Sequence, residues 1–144
     1  MNFVDKLFVL AVFAQLSFYP VVLFIMFRRR VAAIKSKEVP FKYFSSYQMD
    51  KANLPEPMVI CSNHFNNLFQ IPLLFLITGL LILTLKLVTW PMVVLAWLFV
   101  FLRLIHSLIH LGSNNIIQRM RAFGSSTLVL LVMWLYLIGK IFLS

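Results

Sequence analysis

The chain has 144 residues, 62% of them apolar and 12% charged, with a formal net charge of +9 and a single cysteine. A water-soluble domain carries about 25% charged residues, so this composition excludes one, and the length allows a single domain. The basic residues mostly flank apolar runs, which makes the charge a topology signal and argues against a nucleic-acid partner.

The first apolar run, 7–27, contains only Gln15, Ser17 and Pro20 as interruptions and ends at Arg28-Arg29-Arg30. It is too long for the apolar core of a signal peptide and is expected to stay as a first membrane span. The connection 28–62 carries Arg28, Arg29, Arg30, Lys35, Lys37, Lys42 and Lys51 against Glu38, Asp50 and Glu56, with aromatics at Phe41, Tyr43, Phe44 and Tyr47. So aromatic a segment is no disordered linker, and part of it is expected at the membrane interface. The lone Cys61 near its end excludes a disulfide framework within one chain and reads as a small buried hydrophobe.

A second span, 68–88, has Pro72 in its opening turn, where proline disturbs a helix least. A third, 90–111, follows almost at once, so the two form an antiparallel hairpin. After a short segment with Arg119 and Arg121 comes the fourth span, 123–143. The expected fold is an all-α transmembrane four-helix bundle in one domain, 1–144, surrounded by lipid bilayer. Both basic connections fall on one side, and the positive-inside rule places that side, with loop 28–62, in the cytoplasm. Lys86 and Lys140 can snorkel at the opposite ends of their spans. A bacterial inner membrane is favoured over an endoplasmic reticulum. Anionic lipid headgroups or an anionic ligand suit the surplus positive charge.

Polar residues inside these spans carry the functional signal. Arg103, His106 and His110 lie at i, i+3 and i+7, on one face of the third span. An arginine near mid-bilayer costs at least about 2.5 kcal/mol on insertion scales, so such a face is expected to look into the bundle or a wet cavity. Asn63, Asn67 and Gln70, at i, i+4 and i+7, mark one face where the second span opens. Arg119 stands just ahead of the fourth. The topology puts all of these in one leaflet, where they can converge on one cavity. Each has a plainer reading: interhelical glue for the amides, a cation bonded to backbone carbonyls or to Gln70 for Arg103, and a charged flank for Arg119. His106 and His110 have a chelating i, i+4 spacing, with His64 as a third donor, but no acidic or thiol ligand shares that face. No metal site is therefore expected.

The string Asn63-His64-Phe65-Asn66-Asn67-Leu68-Phe69-Gln70-Ile71-Pro72, followed by Arg103-x-x-His106-x-x-x-His110 and then Arg119, resembles the MAPEG family of membrane-associated proteins in eicosanoid and glutathione metabolism. Size, four spans, a long basic first loop and a tight second turn extend the resemblance over the whole chain. It implies a homotrimer of four-helix subunits, with glutathione held by basic residues at subunit interfaces on the cytoplasmic side. Arg119 matches the arginine that stabilises the thiolate and is the expected catalytic residue. Arg28, Asn63, Asn67, Gln70, Arg103, His106 and His110 are the expected ligand-binding residues. Three positions depart from the family pattern: Gln70 stands where a glutamate is usual, Asn63 where an arginine is, and His110 where a tyrosine is. The implied function is a transferase or peroxidase acting on small lipophilic electrophiles, with glutathione or another low-molecular-weight thiol as cosubstrate. The alternative is a non-catalytic ligand-binding or structural membrane protein on the same scaffold.

Overall fold

The computed structural model describes residues 1–46 and 53–143. Tyr47, Asp50 and Lys51 of the basic loop lie outside them. Hydrocarbon offers no partner for backbone polar groups, so a spanning chain satisfies them within helices. Among the described residues there are helices and no strand: α1 (Phe3–Lys35), α2 (Tyr43–Ser46), α3 (Glu56–Leu68), α4 (Ile71–Thr84), α5 (Trp90–Leu111) and α6 (Ile116–Leu143). Four stretches are long and apolar enough to cross a membrane: Phe3–Lys35, Glu56–Thr84, Trp90–Leu111 and Ile116–Phe142.

The helices overrun their apolar spans. α1 continues through Arg28, Arg29 and Arg30 to Lys35, and α6 starts at Ile116, ahead of Arg119. Hydropathy marks where a helix is in hydrocarbon, whereas the backbone stays helical into the interface because charged side chains there reach water.

The second crossing is broken. Proline at 72 has no N–H to offer the Leu68 carbonyl, and its ring clashes with the turn before it. α3 accordingly stops at Leu68, and α4 restarts at Ile71 with the proline at its start. The freed Leu68 carbonyl accepts the Tyr19 hydroxyl of α1 at 2.5 Å. This break also ends the helical register that would set Asn63, Asn67 and Gln70 on one face, since Gln70 sits within it at φ −104° and ψ −112°.

α5 is the central helix, packed on α1, α3 and α6. At one end of the bundle Phe3 meets Trp90 at 6.4 Å between ring centroids, and Trp97 Nε1 donates to the Leu7 carbonyl at 3.2 Å. The core of that half is largely apolar. Phe8, Phe75, Ile82, Met92, Phe99 and Met133 are fully buried, and Phe75 and Phe99 stack at 4.3 Å with planes 7° apart. Close approach is allowed by Gly79, where a Cβ would come within 2.8 Å of Val12 Cγ2. Lipid tails are as apolar as this core, so it is held by packing and not by transfer out of water. Outward-facing residues such as Phe13, Phe24, Ile77, Phe101 and Leu135 remain exposed. At the other end Arg29 ties the helices together, donating from Nη1 to the Pro57 carbonyl (2.9 Å) and from Nη2 to the Leu111 carbonyl (3.0 Å).

Candidate functional site

The candidate site side chains occupy the Arg29 half of the bundle. On α5 the buried positions run Met92, Val93, Ala96, Phe99, Val100, Arg103, His106, Ser107 and His110, a continuous stripe at helical spacing. The apolar stripe of the far half therefore becomes a cationic and imidazole stripe without leaving the interior. Arg103 has no exposed surface, and His106 and His110 have 2% each.

Arg103 has few partners for so buried a charge. Its Nη1 lies 3.5 Å from Ser126 Oγ of α6, and its Cζ lies 5.6 Å from the centroid of Phe123. Nε and Nη2 have no hydrogen-bond partner among the described residues. The aromatic face gives a desolvated guanidinium about 2 kcal/mol, less than a missing carboxylate partner would.

His106 is oriented across the α5–α6 turn. A carbonyl only accepts, so the 3.2 Å contact to the Arg119 carbonyl means that Nδ1 carries the proton and Nε2 the lone pair. The turn itself is shaped by Asn114, at φ 49°. This left-handed conformation suits Asn better than most side chains, and Asn114 N–H closes the helix end on the Ile109 carbonyl at 2.7 Å. Its side chain then serves the site: Asn114 Oδ1 accepts from Arg119 Nη1 at 2.7 Å. The same Nη1 is 3.5 Å from His110 Nε2, and Asn67 Nδ2 is 3.4 Å from it on the other side, both at the outer limit of a hydrogen bond.

His64 enters from α3. It is fully buried, on the face that also buries Cys61 and Leu68. Its ring centroid is 4.9 Å from that of His110 and 5.8 Å from that of His106, and the latter two are 5.6 Å apart. Both nitrogens of His64, Nε2 of His106 and Nδ1 of His110 lack a hydrogen-bond partner among the described residues. A buried polar atom left so costs about 1–3 kcal/mol and calls for an explanation.

Beside this cluster a recess of about 260 Å³ is lined by Asn67, Gln70, His106, Arg119, Met120 and Phe123. The break between α3 and α4 forms one wall and the start of α6 the other. Four of the sequence-predicted site residues thus share one recess, and His110 and Arg103 stand behind it. Two do not join them. Arg28 is exposed on α1. Asn63 lines a separate recess of about 110 Å³ with Arg30, Tyr43 and Met58. The break at Phe69–Gln70 explains the parting of Asn63 from Gln70. Tyr19 and Ser126 are the positioning residues that sequence reasoning missed. Asn114, an asparagine closely following a helix-ending glycine, carried a local signal.

The sequence profile of the MAPEG family matches residues 8–139, nearly the whole chain. Comparisons with curated proteins and with solved structures give no match.

Proposed function

We propose, from the premise that this integral multi-pass membrane protein belongs to the MAPEG family, that it binds a low-molecular-weight thiol, glutathione or a relative, in the recess beside Arg119. The observation that carries the reading is the convergence of Asn67, Gln70, His106 and Arg119 on that one recess. A free thiol has a pKa near 8.5, and a guanidinium beside it favours the thiolate, which is the nucleophile. The thiolate sulfur forms a bond to the electrophilic carbon of a lipophilic substrate arriving from the bilayer as the bond from that carbon to its leaving group breaks. The leaving group departs as an anion with the bonding pair, and the thiol proton goes to water. Asn67 and Gln70 supply neutral hydrogen bonds to the rest of the thiol, and a homotrimer, as the family resemblance implies, would close the recess from outside. Localisation in a bacterial inner membrane, with loop 28–62 in the cytoplasm, belongs to the same reading.

A second reading has one observation in its favour. Arg119 is already engaged by Asn114 at 2.7 Å, as befits a helix-turn clamp in a non-catalytic ligand-binding or structural protein. Calorimetry of glutathione binding to the detergent-purified protein separates the two, with Arg119→Ala alongside. Binding in the micromolar-to-millimolar range that weakens at least tenfold in the variant, together with turnover of an electrophile that the variant abolishes, is expected for the enzyme. Unchanged turnover in Arg119→Ala would sink the thiolate role. A folded wild type that binds no thiol leaves the structural reading.

A further inference from the structure

The helical spacing of α5 supplies two imidazoles, and the packing of α3 supplies a third. His64, His106 and His110 are all buried, and each offers a ring nitrogen within 4.8 Å of the other two. We propose that these three histidines bind a zinc ion inside the bundle, with an exogenous anion as its fourth ligand.

The hydrogen bonds around the cluster fit coordination. Metal-binding imidazoles are held by a bond from the other ring nitrogen to a carbonyl or similar group, which fixes the tautomer. His106 has this arrangement, because its Nδ1–H is spent on the Arg119 carbonyl and its bare Nε2 has no partner among the described residues. His110 Nδ1 has no hydrogen-bond partner among the described residues, while its Nε2 faces Asn67 Nδ2 and Arg119 Nη1, which can only donate, so Nε2 accepts here and coordination through Nδ1 requires the other tautomer. Turning over the Asn67 amide lets its oxygen accept from Nε2–H, while Arg119 keeps its shorter bond to Asn114. His64 has both nitrogens uncommitted. Zinc–nitrogen bonds of about 2.0–2.1 Å set neighbouring ligand atoms about 3.3 Å apart. The 4.8 Å span closes to that by rotations about χ1 and χ2.

Three neutral nitrogens and one open position are the composition of zinc sites that do chemistry, whereas structural sites are closed by four protein ligands. Cys61, one turn before His64, does not close this one, since its Sγ faces the Val22 carbonyl. Arg103 and Arg119 would oppose a bare dication, but they favour an anion on it, so hydroxide or a thiolate completes the charge balance. The site requires no thiol chemistry, and its test uses neither thiol nor electrophile, so it stands or falls apart from the proposed function.

The experiment is cobalt(II) titration of the tag-free, chelator-treated protein in detergent, followed by displacement with zinc. The expected result is an intense visible ligand-field absorption that saturates at about one ion per chain and is removed by zinc. His64→Asn and His106→Asn should each weaken binding at least tenfold, and Cys61→Ser should leave it unchanged. Absence of a saturable signal in the wild type overturns the site, as does wild-type affinity in His64→Asn. Should the histidine variants fail to fold, X-ray absorption on the zinc-loaded wild type decides. Scattering from about three imidazoles supports the site, and a shell without imidazole overturns it.

Discussion

The two halves of this bundle are built on opposite principles. Around Phe8, Phe75, Phe99 and Met133 the core is apolar and packed, its buried Thr78 hydroxyl accepting from Trp134 Nε1 at 2.7 Å, with Gly79 letting α4 close on Val12 of α1. Around His64, Arg103, His106 and His110 the same helices enclose polar atoms, several of them without a partner among the described residues. In a bilayer the first arrangement gains nothing from transfer, because lipid is equally apolar, and lives on packing alone. The second is costly and persists only where a ligand or function compensates. The packed and the polar interiors are thus separated along the axis of the bundle.

The largest effect belongs to the packed half. Phe→Ala in a soluble core costs about 3–5 kcal/mol. Here the transfer part is missing, so Phe99→Ala is expected to cost about 2–3 kcal/mol, from lost packing against Phe75. Thermal denaturation in detergent reads this directly, and affinity of the folded fraction for the proposed thiol ligand should be unchanged. A large loss of affinity would mean that the halves are coupled.

Arg103→Met is the reverse test. It replaces a buried cation that has no carboxylate partner among the described residues by an apolar side chain of similar length. By analogy with buried charges elsewhere, stability should rise by about 1–2 kcal/mol. A lower melting temperature would show that Arg103 has a partner outside the chain, a ligand or a second copy.

How far the sequence foretold this division depends on the range of each interaction. Arg103, His106 and His110 were legible because i, i+3, i+7 spacing on one helix decides their common face before any packing is known. The four crossings were legible because hydrocarbon thickness sets their length. The break at Phe69–Gln70 was not. Pro72 reads equally well as the first turn of a span or as the cause of an interruption, and only the helix preceding it, Glu56–Leu68, decides. Nor was Tyr19, 49 residues from the carbonyl it serves. The convergence of Asn67 and Gln70 with Arg119 followed from topology, while the separation of Asn63 required the break.

That break supplies a third, smaller test. Tyr19→Phe removes the hydroxyl that donates to the Leu68 carbonyl and leaves a proline-orphaned acceptor in an apolar setting. A loss of about 1 kcal/mol is expected, with faster hydrogen exchange of the amides flanking Gln70. Unchanged exchange would show that the break is held by Pro72 alone.

The smallest effect on stability carries the most information about the site. Asn114 has two roles, a left-handed turn residue at φ 49° and the acceptor for Arg119. Asn114→Ala removes both, and the strained backbone should cost about 1 kcal/mol. Asn114→Gly removes only the acceptor, since glycine takes this conformation freely, and should stay within about 0.5 kcal/mol of wild type. If Arg119 must be aimed by Asn114 to meet a thiolate, both variants lose thiol affinity alike although only one loses stability. About tenfold is expected, the equivalent of roughly 1.4 kcal/mol. Tighter binding in Asn114→Gly would invert the argument: Asn114 would then be a competitor for the guanidinium, and the polar half would be satisfied by its own side chains before any ligand arrives.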